Sequence, residues 1–291
     1  MNKKCPFCES EKTQIHLWLK DEFFSKEEFQ IFECFKCGLL FTEPRPDKNK
    51  IGEYYKSEEY YSHQENKKGF IPRIYECVKA VNLRKKCKIA TENLAKGKVL
   101  DIGCGVGDFL HKMETLGWET TGIEPSEEAR EIAKKRMKAS LYTPDDINQL
   151  PDESFDLITM WHVLEHVDDL KTEVSHLERM LKPGGRLVLA LPNFKSHDAE
   201  YYKEKWAAYD APRHLNHFCK KSISNLFKNS KLKPIKTGKL IWDAYYISYM
   251  SEQYKGHSFP LIKGAYRGLV SNIEARKSGE WSSLVYIFEK Q

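Results

Sequence analysis

Four cysteines near the N-terminus have the spacing of a metal site. Cys5 and Cys8 form one C-x2-C pair, Cys34 and Cys37 form a second, and 25 residues separate the pairs. Each pair places two thiolates on one tight turn, and two pairs complete a tetrahedral S4 site that most often holds structural zinc. Iron takes the same ligands, and four unliganded thiols are the other alternative. Because the protein fills all four positions, this metal is not expected to bind substrate.

A glycine-rich turn follows the apolar run at residues 99–102. Gly103, Gly105 and Gly107 give the spacing GxGxG between a predicted strand and a predicted helix. Glycines let the backbone turn sharply and approach a ligand, and the N-terminus of a helix presents unpaired N–H groups. Asp108 stands where the dinucleotide fingerprint needs its last glycine, which disfavours a pyrophosphate site. A tight turn without a ligand is the alternative.

Two acidic residues lie at the ends of consecutive predicted strands. Asp101 suits a cationic ligand, because a carboxylate there holds an ammonium group directly or through water. Glu124 follows 23 residues later, and an acid at that place accepts hydrogen bonds from the two ribose hydroxyls of a nucleoside. The two acids therefore favour a cationic group beside one strand and a nucleoside beside the next.

The segment His162-Val163-Leu164-Glu165-His166 satisfies the H-x-x-E-H pattern of a zinc peptidase family. That chemistry needs the motif inside a long helix with a third ligand downstream, whereas here it directly follows a predicted buried strand at 155–161. The peptidase interpretation is therefore rejected. His166 is expected to pack or to form a hydrogen bond rather than to bind metal.

These residues are positioned by a predicted alternation of strands and helices. Short apolar runs alternate with helical patterns from residue 99 onward, which indicates a mostly parallel sheet covered by helices on both faces. One helical face, ending at Leu181, is predicted to stop at Pro183-Gly184-Gly185, and an earlier amphipathic helix is predicted at about 72–94. The strands are predicted at 99–103, 120–124, 155–161, 186–192, 233–241 and 282–290.

Composition limits the class of protein. The 291 residues are 41% hydrophobic and 12% aromatic, enough for a real core in one large domain or two modest ones. The N-terminus has no apolar signal region and the apolar runs are short, so we expect no membrane span and a cytoplasmic location with reduced thiols. The net charge of +5 is ordinary, although it would also suit an anionic substrate.

Several motifs in one order resemble a known family. They are VLDIGCGVGDFL, TTGIEPS, LPDESFDLITMWHVLEHVDD, LERMLKPGGRLVLALPN and DAPRHLNHF. The chain resembles the class I S-adenosylmethionine-dependent methyltransferases, and within them the UbiG-like branch of small-molecule methyltransferases. The CPxC start and the segment CxxCGLLFT extend the resemblance to the N-terminus.

The resemblance implies an architecture. It is an α/β, Rossmann-like, doubly wound, seven-stranded and mostly parallel sheet with an antiparallel edge pair, plus a small N-terminal zinc ribbon. The implied division is a zinc-ribbon-like module at 1–46, a helical connecting segment at 47–96 and an S-adenosylmethionine-binding domain at 97–291. An aromatic insertion at about 242–281 interrupts this domain and could cover the acceptor, fill the core or form a homodimer contact.

The resemblance also implies cofactor contacts. The first strand end and the glycine loop would hold the methionine part of S-adenosylmethionine, and Glu124 its ribose. An acid in the loop 142–150 would hold the adenine, although Pro144 stands near the expected position. Trp161 and His162 would lie beside the sulfonium. The expected cofactor-binding residues are Asp101, Gly103, Cys104, Gly105, Gly107, Glu124, Asp145, Asp146, Trp161 and His162.

Catalytic candidates lie in His162 and in the segment 209–217, on the side where open α/β sheets bind ligands. Positioning supplies most of the acceleration of methyl transfer, but a hydroxyl acceptor would use a base, for which histidine is suited near neutral pH. Arg213 could hold an anionic group on the acceptor. A loop that merely satisfies backbone groups is the alternative. The candidates are His162, Asp210, Arg213, His214 and His217.

The leading functional hypothesis is a methyltransferase acting on a small molecule or glycan precursor, for example at a sugar hydroxyl. An RNA or protein methyltransferase that uses the zinc ribbon for recognition is the first alternative. Nucleic acid is not expected as a partner, because acids offset the lysines of the ribbon; they are Asp21, Glu22, Glu27, Glu28 and Glu33. A catalytically inactive nucleoside-binding scaffold is the second alternative, disfavoured by the intact glycine loop.

Overall fold

The computed structural model describes residues 3–47, 50–55 and 70–291, with no side-chain description for Tyr55 or for residues 70–79. Parts of the predicted connecting segment 47–96 therefore lie outside the described residues. Within the described chain, the predicted helix at about 72–94 is confirmed and spans Phe70–Thr91. The other α-helices are Asp108–Thr115, Glu127–Arg136, Leu170–Met180, His197–Tyr202, Lys220–Leu226, Asp243–Tyr254 and Pro260–Ser278.

A seven-stranded sheet forms the centre of the described structure. Its strands are β4 (Lys98–Ile102), β5 (Glu119–Ile123), β6 (Ser140–Tyr142), β7 (Phe155–Trp161), β8 (Leu181–Pro192), β10 (Leu232–Lys239) and β11 (Ser283–Lys290). The spatial order is β10-β11-β8-β7-β4-β5-β6. The pairs from β8 to β6 are parallel, and β11 is antiparallel to both β8 and β10. The predicted doubly wound sheet with an antiparallel edge pair is confirmed.

The strand order reverses beside β4. The chain runs outward through β5 and β6, then returns to β7 on the other side of β4. The loops after β4 and β7 lead to helices on opposite faces of the sheet. The crevice between these loops is where doubly wound sheets bind ligands. Apolar strand residues such as Leu100, Leu157 and Leu189 are fully buried, so the edges of this crevice rest on a rigid core.

Two element boundaries differ from the predictions. Leu181 belongs to β8 rather than to the preceding helix, which ends at Met180, and the Pro183-Gly184-Gly185 turn lies inside the strand at an irregularity of the β7–β8 register. The three-residue strand β6 was not predicted, because three residues carry too little alternation to be seen.

A second sheet joins the N-terminal module to the larger domain. Its strands are β1 (Thr13–Lys20), β2 (Glu28–Cys34), β3 (Leu40–Glu43) and β9 (Asn216–His217), in that order. The pairing of β3 with β9 sets Leu40 opposite His217. One strand of this sheet thus comes from the segment DAPRHLNHF, so the N-terminal module packs directly against the loop expected to contact the acceptor.

The aromatic insertion forms two packed helices, Asp243–Tyr254 and Pro260–Ser278. Their close approach requires glycine, since a Cβ on Gly264 would lie 2.5 Å from Tyr249 Cα and one on Gly268 would lie 2.7 Å from Tyr245 Cα. Of the helices that the structure describes, none has the length and apolar character needed to cross a bilayer.

Candidate cofactor and acceptor site

The glycine loop after β4 adopts the shape that its sequence predicts. Gly103, Gly105 and Gly107 all have positive φ, at 71°, 55° and 79°, which side-chain-bearing residues rarely adopt. A Cβ on Gly103 would lie 2.4 Å from a methyl carbon of Val163, whereas one on Gly105 would meet no atom within 4 Å. The loop is therefore packed against Val163 at Gly103, whereas the space beside Gly105 is open.

Glu124 ties this loop to the end of β5. One carboxylate oxygen accepts a hydrogen bond from the backbone N–H of Gly105 at 2.9 Å, and the other accepts one from Ser126 at 2.9 Å. The side chain is buried, with 9% of the residue exposed. A carboxylate has about four lone-pair sites, so these two bonds orient Glu124 while leaving acceptor capacity for hydroxyl groups.

Asp101 is buried under the loop and accepts a hydrogen bond from the Thr159 hydroxyl at 2.5 Å. Burial raises the pKa of Asp101 to about 7, although the Thr159 bond and the charge of Lys86 oppose the shift. At neutral pH this carboxyl is poised between its two protonation states. A ligand cation beside it would therefore draw it into the ionised form.

Lys86 enters the same region from the helix Phe70–Thr91 and was not predicted. Its ammonium lies 4.9 Å from the centroid of the Trp161 ring, a cation–π distance. Burial lowers the pKa of Lys86, while the charges of Asp243 and Asp101 partly restore it. The sequence carried a signal: Lys86 is three residues from Leu83 and four from Ala90, which places a cation on the apolar face of the helix.

His162 follows β7 with a left-handed backbone, at φ 60°. Its Nε2 lies 3.0 Å from Asp243 and its Nδ1 lies 3.5 Å from Glu165. Burial alone would lower the pKa of His162, but the two carboxylates outweigh burial and raise it to about 9. The imidazole is therefore protonated at neutral pH, which disfavours His162 as the base that a hydroxyl acceptor would need.

His217 is the last residue of β9, the strand that pairs with β3. Its Nε2 is 3.0 Å from the Thr42 hydroxyl, and the residue is 4% exposed. Burial and the charge of His214 lower the pKa of His217 well below its usual range, so the ring is neutral. This position suits a residue that fixes β9 to β3 within the four-stranded sheet better than one that contacts an acceptor.

His214 lies between the other two histidine candidates in exposure, with 12% of its side chain exposed against 31% for His162. Its Nδ1 is 2.8 Å from the carbonyl oxygen of Ala208, so Nδ1 is the donor of this hydrogen bond. Nε2 lies 4.0 Å from Asp210. The ring packs edge-on against His166, with centroids 4.6 Å apart. An imidazole that a backbone carbonyl orients through Nδ1 leaves Nε2 as the atom that a general base would use.

Arg213 does not fit the expected role of binding an acceptor anion. Its guanidinium donates to Asp210 at 2.6 and 3.0 Å, to Asp21 at 3.1 Å and to the Tyr54 carbonyl at 3.2 Å. It also stacks on the Phe23 ring at 4.8 Å, and only 2% of the residue is exposed. Arg213 therefore forms a clasp: it binds Asp210 in its own loop and Asp21 in the N-terminal module, so two carboxylates already surround its charge.

Glu165, the carboxylate inside the rejected H-x-x-E-H motif, was not among the predicted site residues. It is 1% exposed, and among the described residues neither carboxylate oxygen has a hydrogen-bond partner. The short 3-10 turn Leu164–His166 carries it, which agrees with rejecting the peptidase interpretation. Together with Trp206, His214 and His217 it surrounds a gap too narrow to hold a water molecule. Its ligand atoms lie within 4.8 Å of those of His166 and His214.

The acids expected near adenine lie on the 3-10 turn Pro144–Gln149. Asp146 accepts hydrogen bonds from the backbone and hydroxyl groups of Thr143, at 2.9 and 2.7 Å, and from Gln149 at 2.9 Å. Those bonds lower the pKa of Asp146. Asp145 is exposed on the same turn. Asp146 thus shapes the loop, and Asp145 is the carboxylate that points to solvent.

The four N-terminal cysteines converge as predicted. Cys5 Sγ lies 3.7 Å from Cys37 Sγ, Cys8 Sγ lies 3.4 Å from Cys34 Sγ, and all four sulfurs lie within 4.8 Å of one another. Sulfurs held about 2.3 Å from a tetrahedral zinc would be roughly 3.8 Å apart. The cluster therefore has the size of an S4 zinc site. Asn225 donates to the Cys37 carbonyl at 3.0 Å, which ties the cluster to the larger domain.

Comparison with known sequences identifies a family. Residues 74–237, more than half of the chain, match a family described as a methyltransferase domain. The ubiquinone biosynthesis O-methyltransferase of Pseudomonas syringae pv. tomato is 34% identical over 108 residues, covering 35% of this chain and 47% of that protein. The malonyl-(acyl-carrier protein) O-methyltransferase of Enterobacter lignolyticus is 32% identical over 123 residues, covering 42% and 48%. The chain spans about half the length of these curated relatives.

Solved structures share the fold at low sequence identity. The geranyl diphosphate C-methyltransferase of Streptomyces coelicolor A3(2), solved with Mg2+, geranyl diphosphate and S-adenosyl-L-homocysteine, matches with a TM-score of 0.51 and 14% identity over 72% of this chain and 77% of that chain. An S-adenosylmethionine-dependent methyltransferase of Archaeoglobus fulgidus matches with a TM-score of 0.50 and 19% identity over 74% and 94%. These likenesses concern the fold.

Proposed function

Because the chain belongs to the class I S-adenosylmethionine-dependent methyltransferases of the UbiG-like type, we propose that it transfers a methyl group from S-adenosylmethionine to a small-molecule acceptor. One observation carries the proposal: Asp101 and Glu124 lie at the ends of adjacent strands, and the left-handed glycine loop connects them where the strand order reverses. That arrangement suits a nucleoside with a cationic amino-acid tail.

The residues around this crevice fit the cofactor. The space above Gly105 is open, so a ligand can approach the backbone there. Glu124 is oriented by two backbone N–H groups and keeps acceptor capacity for ribose hydroxyls. In the described structure, the buried indole N–H of Trp161 lacks a hydrogen-bond acceptor, which a polar ligand atom would supply.

S-adenosylmethionine supplies a methyl group already activated on a sulfonium. The protein therefore has to position the acceptor against this methyl group and to exclude water from the crevice. Glu124 would hold the ribose, and Asp101 would hold the α-ammonium group. Lys86 lies over Trp161 in the described structure and is the cation available to the cofactor carboxylate.

We further propose an oxygen acceptor with His214 as the base. The curated relatives named above are O-methyltransferases, and the Ala208 carbonyl orients the His214 ring by accepting a hydrogen bond from its Nδ1. His162, held as a cation by Asp243 and Glu165, would orient the polar groups of the acceptor instead. A sugar hydroxyl is one acceptor of this class.

The S4 cluster is proposed to hold zinc in a structural role. It lies in the module whose strand β3 pairs with β9, and Asn225 binds the carbonyl of Cys37. A metal there would fix the N-terminal sheet and, through it, the loop 209–217 that carries His214. Its ligand set leaves no coordination position for an acceptor.

Calorimetric titration with S-adenosylmethionine and S-adenosylhomocysteine tests the cofactor assignment. We expect both to bind, and Glu124→Ala to weaken binding by about 1 to 3 kcal/mol, the scale for leaving buried hydroxyls unpaired. Glu127→Ala, three residues away on an exposed helix start, is the matched control and should bind like wild type. Absence of binding by wild type would overturn the proposal and favour a scaffold role.

A further inference from the structure

The helix Pro260–Ser278 carries an apolar stripe on the face turned away from its packing partner. Gly264 and Gly268 lie on the buried face, against the helix Asp243–Tyr254. The opposite side and the residue before the helix present large apolar side chains that are 44% to 73% exposed; they are Phe259, Leu261, Ile262, Tyr266, Leu269 and Ile273. We call these six residues the apolar stripe.

The spacing of the apolar stripe is that of one continuous helical surface. Ile262, Tyr266, Leu269 and Ile273 follow one another by four, three and four residues, so they lie in line along the helix. Exposed apolar patches of this extent mark interaction sites on globular proteins. The most exposed residue, Phe259 at 73%, lies at the N-terminal tip, next to Leu261 and Ile262.

Cations surround the apolar stripe. Residues 255–278 contain five Lys or Arg residues and one acid, Glu274, which pairs with Lys277 at 3.3 Å. Arg267 lies 3.9 Å from the Tyr201 ring and 5.6 Å from the Tyr266 ring, so a guanidinium and two phenol rings stand together at the rim. Aromatic rings with polar tips and cations on aliphatic stems are the side chains that suit the boundary between water and lipid headgroups.

We propose that the apolar stripe seats this protein on an anionic lipid surface. The tip Phe259, Leu261 and Ile262 would enter the boundary between headgroups and acyl chains, and the surrounding Lys and Arg side chains would bind lipid phosphates. A second copy of the chain is the weaker occupant. A two-fold contact would bring two copies of the same segment together, each with five cations and one acid, and like charges would repel.

The placement links the lipid surface to the acceptor site without depending on the proposed chemistry. Asp243, the partner of His162, begins the helix against which the stripe-bearing helix packs. The two helices run antiparallel, since Gly264 lies against Tyr249 and Gly268 against Tyr245, so Asp243 lies toward the Ile273 end of the stripe rather than the Phe259 tip. Lipid binding itself requires neither cofactor nor acceptor, so the two proposals can fail separately.

Vesicle sedimentation of the full-length protein tests this inference. We expect wild type to bind phosphatidylcholine vesicles that contain phosphatidylglycerol, to bind less at high salt, and to bind pure phosphatidylcholine weakly. Phe259→Ser/Ile262→Ser should lower the partition coefficient on the order of tenfold or more, because two inserted side chains are lost. Lys263→Gln should lower it about fivefold, because one cation near the anionic surface is lost.

Ile235→Ser is the matched control, since Ile235 is 50% exposed on the edge strand β10 and should leave binding unchanged. Absence of wild-type binding to both vesicle types would overturn the inference. So would an equal loss with Ile235→Ser. If wild type formed a stable dimer and did not bind vesicles, and if Phe259→Ser/Ile262→Ser were monomeric, the inference would be overturned. The apolar stripe would then be the contact with a second copy of the chain.

Discussion

The ion pair between His162 and Asp243 should give the protein a pH-dependent stability that a single substitution removes. Nε2 of His162 lies 3.0 Å from Asp243, and the carboxylates of Asp243 and Glu165 raise the pKa of His162 to about 9. Asp243→Asn keeps the shape of the side chain and deletes its charge, so the pKa of His162 should fall. The pair also joins the end of β7 to the aromatic insertion, so its loss reports on both elements.

The magnitude follows from the size of the shift. Raising a histidine pKa from its ordinary 6.5 to about 9 corresponds to about 3 kcal/mol of folding free energy. Because 31% of the His162 side chain is exposed, we expect solvent screening to reduce the loss in Asp243→Asn to about 1 to 2 kcal/mol. A raised pKa stabilises the fold fully below pH 6.5, and this stabilisation disappears as the pH rises through about 9.

Urea unfolding at several pH values is the appropriate assay. The free energy of unfolding of wild type should exceed that of Asp243→Asn at pH 6, by less at pH 8, and not at all above about pH 9.5. Asp145→Asn, an exposed carboxylate on the turn Pro144–Gln149, is the matched control and should track wild type throughout. A wild-type advantage that stays constant up to pH 10 would refute the electrostatic reasoning and indicate packing instead.

Three further substitutions have defined outcomes. Arg213→Ala should lower the free energy of unfolding by about 3 to 5 kcal/mol, because it leaves buried Asp21 and half-buried Asp210 without their cation; a loss below 1 kcal/mol in urea unfolding would show that the clasp is dispensable. Cys34→Ser should abolish the zinc that elemental analysis is expected to find at one ion per chain, and equal zinc in this variant would contradict the S4 assignment. His214→Gln should lower kcat about 100-fold or more for a hydroxyl acceptor while cofactor affinity in calorimetry stays within about twofold; an unchanged kcat would remove His214 as the base.

Local motifs predicted which residues of the glycine loop, the strand ends and the cysteine cluster lie close together. The glycine loop, Asp101 and Glu124 were predicted from a short stretch because adjacent parallel strands bring their carboxyl ends to one edge. The cysteine pairs were predictable for a similar reason, since each pair needs only one turn. The edge pair β10–β11 carried alternation long enough to recognise, whereas the three residues of β6 did not.

Roles that depend on distant partners were beyond the sequence. Arg213 binds Asp21, which is 192 residues away along the chain, so its charge is already paired. Motif spacing cannot reveal a contact at that sequence separation. His162 forms an ion pair with Asp243, which lies far away along the chain, and this pair turns a candidate base into a cation. Leu181 continued a helical apolar pattern but pairs with Phe155 in the sheet, because β7 offered it a strand partner.

The central claim is that the crevice formed by β4, β5 and the glycine loop binds S-adenosylmethionine. A crystal structure of the protein with S-adenosylhomocysteine tests it most directly. We predict both ribose hydroxyls within hydrogen-bond distance of the Glu124 carboxylate, the α-ammonium group beside Asp101 and the Lys86 ammonium at the carboxylate. Nucleoside bound elsewhere, or in this crevice with Glu124 turned away from the ribose, would contradict the account.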